Sequence, residues 1–280
     1  MRLPTATCVT SLVASSALVA LTLVSPATAA PAAPAGTPTC HGEPATIVVR
    51  AGDGERPVGT AGDDVVVIGR GAEAYSFDAL DGNDTVCVLA ARRQNYIDVL
   101  GGAGDDRLVA LAPGAALEGG PGADVLVGSR YGDVLWCGTG NDRLLGGAGA
   151  DVLRPGVGND LVKGGTGVDR WETGVYHRNV VIDVPRGTTT GQGRDRITAI
   201  EGYDAGGGND VFRGGPRADR FSGGGGDDRA YGRGGDDSLH GDDGRDFVVG
   251  GPGYDTCVAE TRRTCETHQE SAQRASSSST

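Results

Sequence analysis

From Gly119 to Glu172 the chain reads in nines: GGPGADVLV, GSRYGDVLW, CGTGNDRLL, GGAGADVLR, PGVGNDLVK, GGTGVDRWE, with no residue inserted or lost. Every unit has an aspartate in sixth place (Asp124, Asp133, Asp142, Asp151, Asp160, Asp169) and an apolar residue in eighth (Leu126, Leu135, Leu144, Leu153, Val162, Trp171). Glycine crowds the first four places. Three residue classes held in phase over consecutive units define a repeat array, which has to be read before any shorter motif. Glycine-rich places allow positive φ without a Cβ clash, and an x-U-x triplet turns its middle residue inward.

The pattern resembles the glycine-rich nonapeptide G-G-x-G-x-D-x-U-x of the RTX (repeats-in-toxin, haemolysin-type) calcium-binding family. That resemblance implies an all-β chain, a parallel β-roll (β-solenoid) in which two nonads make one coil. Aspartates 18 residues apart, such as Asp124 and Asp142, should then stack on one edge of the roll, about 4.8 Å apart. Bare carboxylates that close repel one another. Ca²⁺, with Ca–O distances of about 2.3–2.6 Å, spans such a gap. The oxygens needed to complete its shell are implied by the resemblance to be glycine-loop carbonyls. Backbone cages of this kind suit Ca²⁺ better than Mg²⁺, which keeps its waters.

A second array runs from Ala205 to Val258, with Asp210, Asp219, Asp228, Asp237, Asp246 and Asp255 in sixth place and Phe212, Phe221, Ala230, Leu239, Val248 and Cys257 in eighth. Arg217 and Arg233 replace glycines in its turns. Earlier units are less regular: Gly59–Val67 contributes Asp64, a frame-shifted unit contributes Asp84, and Gly101–Val109 contributes Asp106. The expected metal ligands are therefore Asp64, Asp84, Asp106, Asp124, Asp133, Asp142, Asp151, Asp160, Asp169, Asp210, Asp219, Asp228, Asp237, Asp246 and Asp255. In the unit Ala110–Glu118, Ala115 replaces the aspartate, so calcium is expected to be weak or absent there and restored by an aspartate at 115.

The organisation expected is a signal peptide at 1–29, a linker and N-terminal lead at 30–58, a first repeat segment at 59–172, a connector at 173–204, a second repeat segment at 205–258 and a C-terminal tail at 259–280. The signal rests on Arg2, the apolar run Leu12–Val24 and the Ala27-Thr28-Ala29 cleavage motif. That run is too short to span a bilayer. The lead around Cys40-His41-Gly42 resembles that of small exported calcium-binding repeat proteins of actinobacterial type. A secreted, extracellular chain is the expectation. In the connector, Val180–Val184 and Arg194–Gly202 read as strands and Gly187–Gly193 as a turn. The polar tail after Cys265 reads as disordered.

Of 37 acidic residues 28 are Asp, as a short-armed ligand in a tight turn requires and a merely solvated surface does not. The net charge of −12 makes nucleic acid and anionic membranes poor partners. No phosphate-binding loop, zinc motif or EF-hand loop is present, and an acid–base pair of His177 with Asp183 or Asp195 is the single enzymatic alternative, a hydrolase sited in the connector. The function expected is calcium-ion binding by a non-enzymatic structural or surface-interaction module that folds on binding several ions. The runner-up is an adhesin or matrix component with a cell-envelope protein or glycan partner. Its surface would be the outward apolar strip of Val125, Val127, Val134, Trp136 and Leu145, which could equally pack beneath the connector or the N-terminal lead. Cleavage of the signal leaves five cysteines. Cys257 with Cys265 would pin the last coil, and Cys40 could bridge Cys87 or Cys137.

Overall fold

The computed structural model describes residues 37–265, apart from positions 51, 55, 70–71, 73–75, 90–96 and 175–177. The expected signal peptide, the residues after Cys265, and His177 lie outside the described residues. The fold is all-β, a parallel β-roll. Two sheets, of 14 and 10 strands, run side by side, and the chain alternates between them. A small antiparallel pair, Thr39–Cys40 with Glu43–Pro44, precedes them.

The nonad period sets this alternation directly. Val125–Val127 pairs in parallel with Arg107–Ala110 before it and Arg143–Gly149 after it in the larger sheet, Leu126 lying opposite Leu108 and Leu144. Val134–Thr139 and Val152–Arg154 pair the same way in the smaller sheet, Leu135 opposite Leu153. Each coil thus takes two nonads, and eighth-place residues stack on their own kind. Leu126, Leu135, Leu144, Leu153, Val162, Phe212, Ala230 and Leu239 are fully buried in one continuous core. Aromatic rings fill the later coils, with Phe212 stacked on Phe221 at 4.7 Å between centroids and Tyr203 tilted against Phe212 at 5.2 Å. The coils approach so closely that some turn positions admit only glycine: a Cβ on Gly122 (φ +154°) would lie 1.8 Å from the Gly104 carbonyl oxygen.

The connector is woven into the roll. Val181–Asp183 joins the larger sheet beside Val211–Arg213, a short 3₁₀ turn Val184–Arg186 follows, and Thr188–Thr190 runs back antiparallel before Arg194–Thr198 pairs with Leu161–Gly167. The segment expected as a turn therefore contains a strand. Each of its three threonines is β-branched, which suits a pleated surface. The smaller sheet passes through without an inserted strand: Trp171 lies opposite Tyr203, and Tyr203 opposite Phe221.

Two disulfides close the ends of the roll, Cys40–Cys87 and Cys257–Cys265, while Cys137 is a buried free thiol. The first settles the open pairing of Cys40. It also anchors the lead across the outer face of the larger sheet, where Cys40, Val67, Cys87 and Val109 form a second apolar cluster with Val127 against it. Part of the outward apolar strip is thus covered by the lead. Trp136, on the smaller sheet, stays 40% exposed. Among the described residues, no helix is long and apolar enough to cross a membrane.

Candidate metal centre

All the sixth-place aspartates singled out above are buried, none more than 5% exposed. The roll brings them together in two single files, one along each sheet edge. Within a file, one carboxylate oxygen (Oδ1) accepts the backbone N–H of the sixth-place residue one coil earlier. Asp106 N–H donates to Asp124 Oδ1 at 2.8 Å, Asp124 N–H to Asp142 Oδ1 at 2.8 Å and Asp142 N–H to Asp160 Oδ1 at 2.9 Å. The smaller sheet repeats the arrangement through Asp133, Asp151 and Asp169, and the later coils through Asp210, Asp228 and Asp246 and through Asp219, Asp237 and Asp255. The irregular first coils obey it too, since Asp64 N–H donates to Asp84 Oδ1 and Asp84 N–H to Asp106 Oδ1.

The other oxygen is the informative one. In Asp84, Asp106, Asp124, Asp142, Asp151, Asp160, Asp169, Asp210, Asp228, Asp237 and Asp246, Oδ2 is buried and has no hydrogen-bond partner. An unmade bond of this kind on a buried charge is expensive, and native folds rarely leave one without a reason. Backbone oxygens from the neighbouring coil face it. The space that a Cβ on Gly119 would fill lies 2.3 Å from Asp124 Oδ2 and 2.9 Å from the Cys137 carbonyl oxygen. At Gly146 the corresponding separations are 2.5 Å to Asp151 Oδ2 and 2.6 Å to the Gly164 carbonyl oxygen. Hard oxygens of adjacent coils thus converge at a place with no donor, a donor set that fits Ca²⁺. Among the described residues no three or more His, Cys, Asp or Glu side chains cluster as a metal site. A cation held here takes most of its oxygens from the backbone.

Electrostatics agree. Burial, helped by neighbouring carboxylates and partly offset by the backbone N–H bond, pushes Asp124 and Asp210 up to about 7. Burial likewise lifts Asp84, Asp106, Asp142, Asp151, Asp228 and Asp237 to about 6. Burial also raises Asp160, Asp169 and Asp246. Without a cation, these groups hold protons far above the ordinary aspartate range.

Three members of the files were not read from the sequence. Asp195 and Glu201 carry the two edges through the connector, accepting from Asp160 N–H at 3.2 Å and Asp169 N–H at 3.0 Å, and Glu260 closes the larger sheet's file by accepting from Asp246 N–H at 2.8 Å. A signal for Asp195 was available: Thr190–Thr198 (TGQGRDRIT) is a nonad with threonine in first place. Also missed was a second ladder at the fifth place. There Asp63, Asn83 and Asp105 accept the N–H of the fifth-place residue one coil later, at 2.8 Å each, as do Asn209 and Asp227 further on. The two ladders run in opposite senses, so the turns that carry both are tied forward and back.

The family described as RTX calcium-binding nonapeptide repeat (4 copies) matches residues 118–153, 204–239 and 222–257. These are RTX-type repeats. The matched spans coincide, to within one residue at their start, with parts of the two long in-phase arrays, and the RTX β-roll is a calcium-binding structural fold. Comparison with curated proteins gives no match. The RTX register also accounts for the units outside the matched spans, since Asp64, Asp84 and Asp106 make the same inter-coil bond as Asp124.

Proposed function

We propose that the chain is an exported structural or surface-interaction module whose biochemical activity is to bind several Ca²⁺ ions along the two edges of its roll, and whose folding depends on them. The observation that carries this is the row of buried, unpartnered Oδ2 atoms facing backbone carbonyls. Asp84, Asp106, Asp124, Asp142, Asp160, Asp210, Asp228 and Asp246 on one edge, and Asp151, Asp169 and Asp237 on the other, would hold the ions. Bound calcium supplies the positive charge that these carboxylates lack. The chain's own contribution is to fix Oδ1 on a backbone N–H of the neighbouring coil, so that in the folded roll Oδ2 is left free for the ion.

Folding on binding follows from the balance of terms. Ordering so many glycines costs backbone entropy at the high end of roughly 1–2 kcal/mol per residue. The core offers one apolar side chain per nonad, and the stacked carboxylates repel one another. Metal binding then acts as folding free energy. Extracellular calcium modules bind at about 10⁻⁴–10⁻³ M, so export into a calcium-rich medium would set the fold. The two disulfides accord with an oxidising compartment. Ca²⁺ titrated into chelated protein, followed by far-UV circular dichroism and hydrodynamic radius with Mg²⁺ as control, should give a steep compaction that Mg²⁺ does not reproduce. A chain fully compact in excess chelator and indifferent to millimolar Ca²⁺ would defeat this reading.

One observation favours the adhesin reading as a second. Exposed Trp136 borders a cavity of about 320 Å³ lined by Arg154, Glu172, Thr173 and Asp204. Glu172 in its lining pairs with both Arg154 and Arg170, at 2.7 Å each. A rigid shelf with one aromatic face and planar polar groups suits a cell-envelope protein or glycan. Loss of envelope binding in Trp136→Ala, with calcium binding intact, is the expected outcome, and retained binding would remove the reading.

A further inference from the structure

Apart from Asp195 in the connector, whose Oδ2 accepts the Thr189 hydroxyl, three of the sixth-place aspartates differ from the rest in a way that their spacing does not reveal. Asp64 Oδ2 accepts the Thr60 N–H at 2.7 Å and the Thr60 hydroxyl at 3.0 Å, Asp133 Oδ2 accepts the Ser129 N–H at 2.6 Å, and Asp219 Oδ2 accepts the Gly215 N–H at 2.6 Å. In each case the donor is the second-place residue of the same nonad. The carboxylate is satisfied from within its own turn.

The backbone explains the division. Every aspartate with an unpartnered Oδ2 follows a second-place residue at positive φ. Gly102, Gly120, Gly138, Gly147, Gly156, Gly165, Gly206 and Gly224 all lie between +82° and +123°. The rule holds even where the second place is not glycine: Leu80 (+81°) precedes Asp84, Arg233 (+76°) precedes Asp237 and Asp242 (+69°) precedes Asp246. Holding such residues in that region costs on the order of 1 kcal/mol each, which something must offset. In this state the second-place N–H turns away from the carboxylate, as when Gly102 N–H donates to the Gly119 carbonyl at 2.9 Å and Arg233 N–H to that of Gly250 at 2.8 Å. Thr60, Ser129 and Gly215 are outside the positive-φ region, and their N–H groups point at the aspartate instead. The carboxylate also withdraws from the shared space: the Cβ position on Gly128 is 3.1 Å from Asp133 Oδ2 and that on Gly214 is 2.8 Å from Asp219 Oδ2, against 2.3 Å for Gly119 and Asp124.

We infer that the second-place peptide is a two-state selector, which leaves eleven aspartates open to a cation and closes Asp64, Asp133 and Asp219 into metal-independent staples. This rests on the calcium reading above and refines it by removing three of its expected ligands. Each closed position follows a point where the file has no aspartate one coil earlier, but such a break does not by itself close the turn, since Asp210 follows Val180 and stays open. Asp64 opens the larger sheet's file, Asp133 follows Ala115, and Asp219 follows Glu201. Each closed turn also departs from glycine at the second or fourth place, through Thr60, through Ser129 with Tyr131, and through Arg217. Every open turn keeps glycine at the fourth.

The test counts ions by native mass spectrometry and calorimetry on the full chain. Asp142→Asn should lower the number of bound Ca²⁺ by at least one, whereas Asp133→Asn should leave it unchanged. Because Asp133→Asn removes a bond that holds the turn, a second variant works in the opposite direction. Ser129→Gly with Tyr131→Gly should open the site and add one ion, and amide exchange at position 129 should speed up before calcium is added. Equal losses in Asp133→Asn and Asp142→Asn, or no gain in the double glycine variant, would overturn the selector while leaving calcium binding standing. A wild-type chain that binds no Ca²⁺ would overturn both.

Discussion

Protons and calcium compete for the same oxygens, and the structure sets the size of the effect. Asp84, Asp106, Asp142, Asp151, Asp228 and Asp237 are raised from an ordinary 3.8 to about 6, and Asp124 and Asp210 to about 7, chiefly by burial. At about 1.36 kcal/mol per pH unit, ionising one such group in the metal-free roll costs on the order of 3 kcal/mol more than in the unfolded chain. Several together are comparable, after solvent screening, with the ~5–15 kcal/mol that holds an ordinary domain. The sign follows from the raised folded values. Below about pH 4 both states are protonated and the roll keeps its full stability. As pH climbs from about 4 to 7 the unfolded chain releases its protons first, so the metal-free fold loses stability across that window. Chelated protein should therefore be compact near pH 5 and open near pH 7.5 by circular dichroism. Adding Ca²⁺ to weakly buffered protein at pH 6 should release protons measurable in a pH-stat. Chelated protein equally folded at both pH values, together with no proton release at pH 6, would refute the claim that buried carboxylates without partners govern this fold.

Two further outcomes are expected. Replacing Cys40 and Cys87 by serine removes a cross-link spanning 47 residues, and loop-closure entropy puts the loss at up to about 4 kcal/mol, read as an earlier denaturation midpoint in saturating calcium. Ala115→Asp restores the repeat's aspartate, and spacing alone expects an extra ion. Leu111 in its second place is outside the positive-φ region and Pro113 occupies the fourth, so calorimetry should show no gain unless both are also made glycine.

What could be read from the sequence was whatever repeats with a fixed phase. The eighth-place leucines and sixth-place aspartates are periodic in residue type, and a coil of two nonads turns that period into the observed opposition of Leu126 with Leu144. The connector was harder because its coil keeps the geometry while changing the residues: Glu201 does with a longer arm what aspartate does elsewhere, and Tyr203 takes the place of an aliphatic core residue. Hidden altogether was the division between Asp124 and Asp133. Both have the same repeat position, are buried alike and accept a backbone N–H at Oδ1, yet a peptide four residues earlier faces the carboxylate in one and not in the other. Backbone orientation is a property of the turn as a whole, set by which of its places can take positive φ. Leu80, Arg233 and Asp242 show that a non-glycine residue is carried into that region when the rest of the turn demands it. A residue-by-residue match to the RTX pattern therefore finds carboxylates, whereas the φ of the second place decides which of them are left with an oxygen to give.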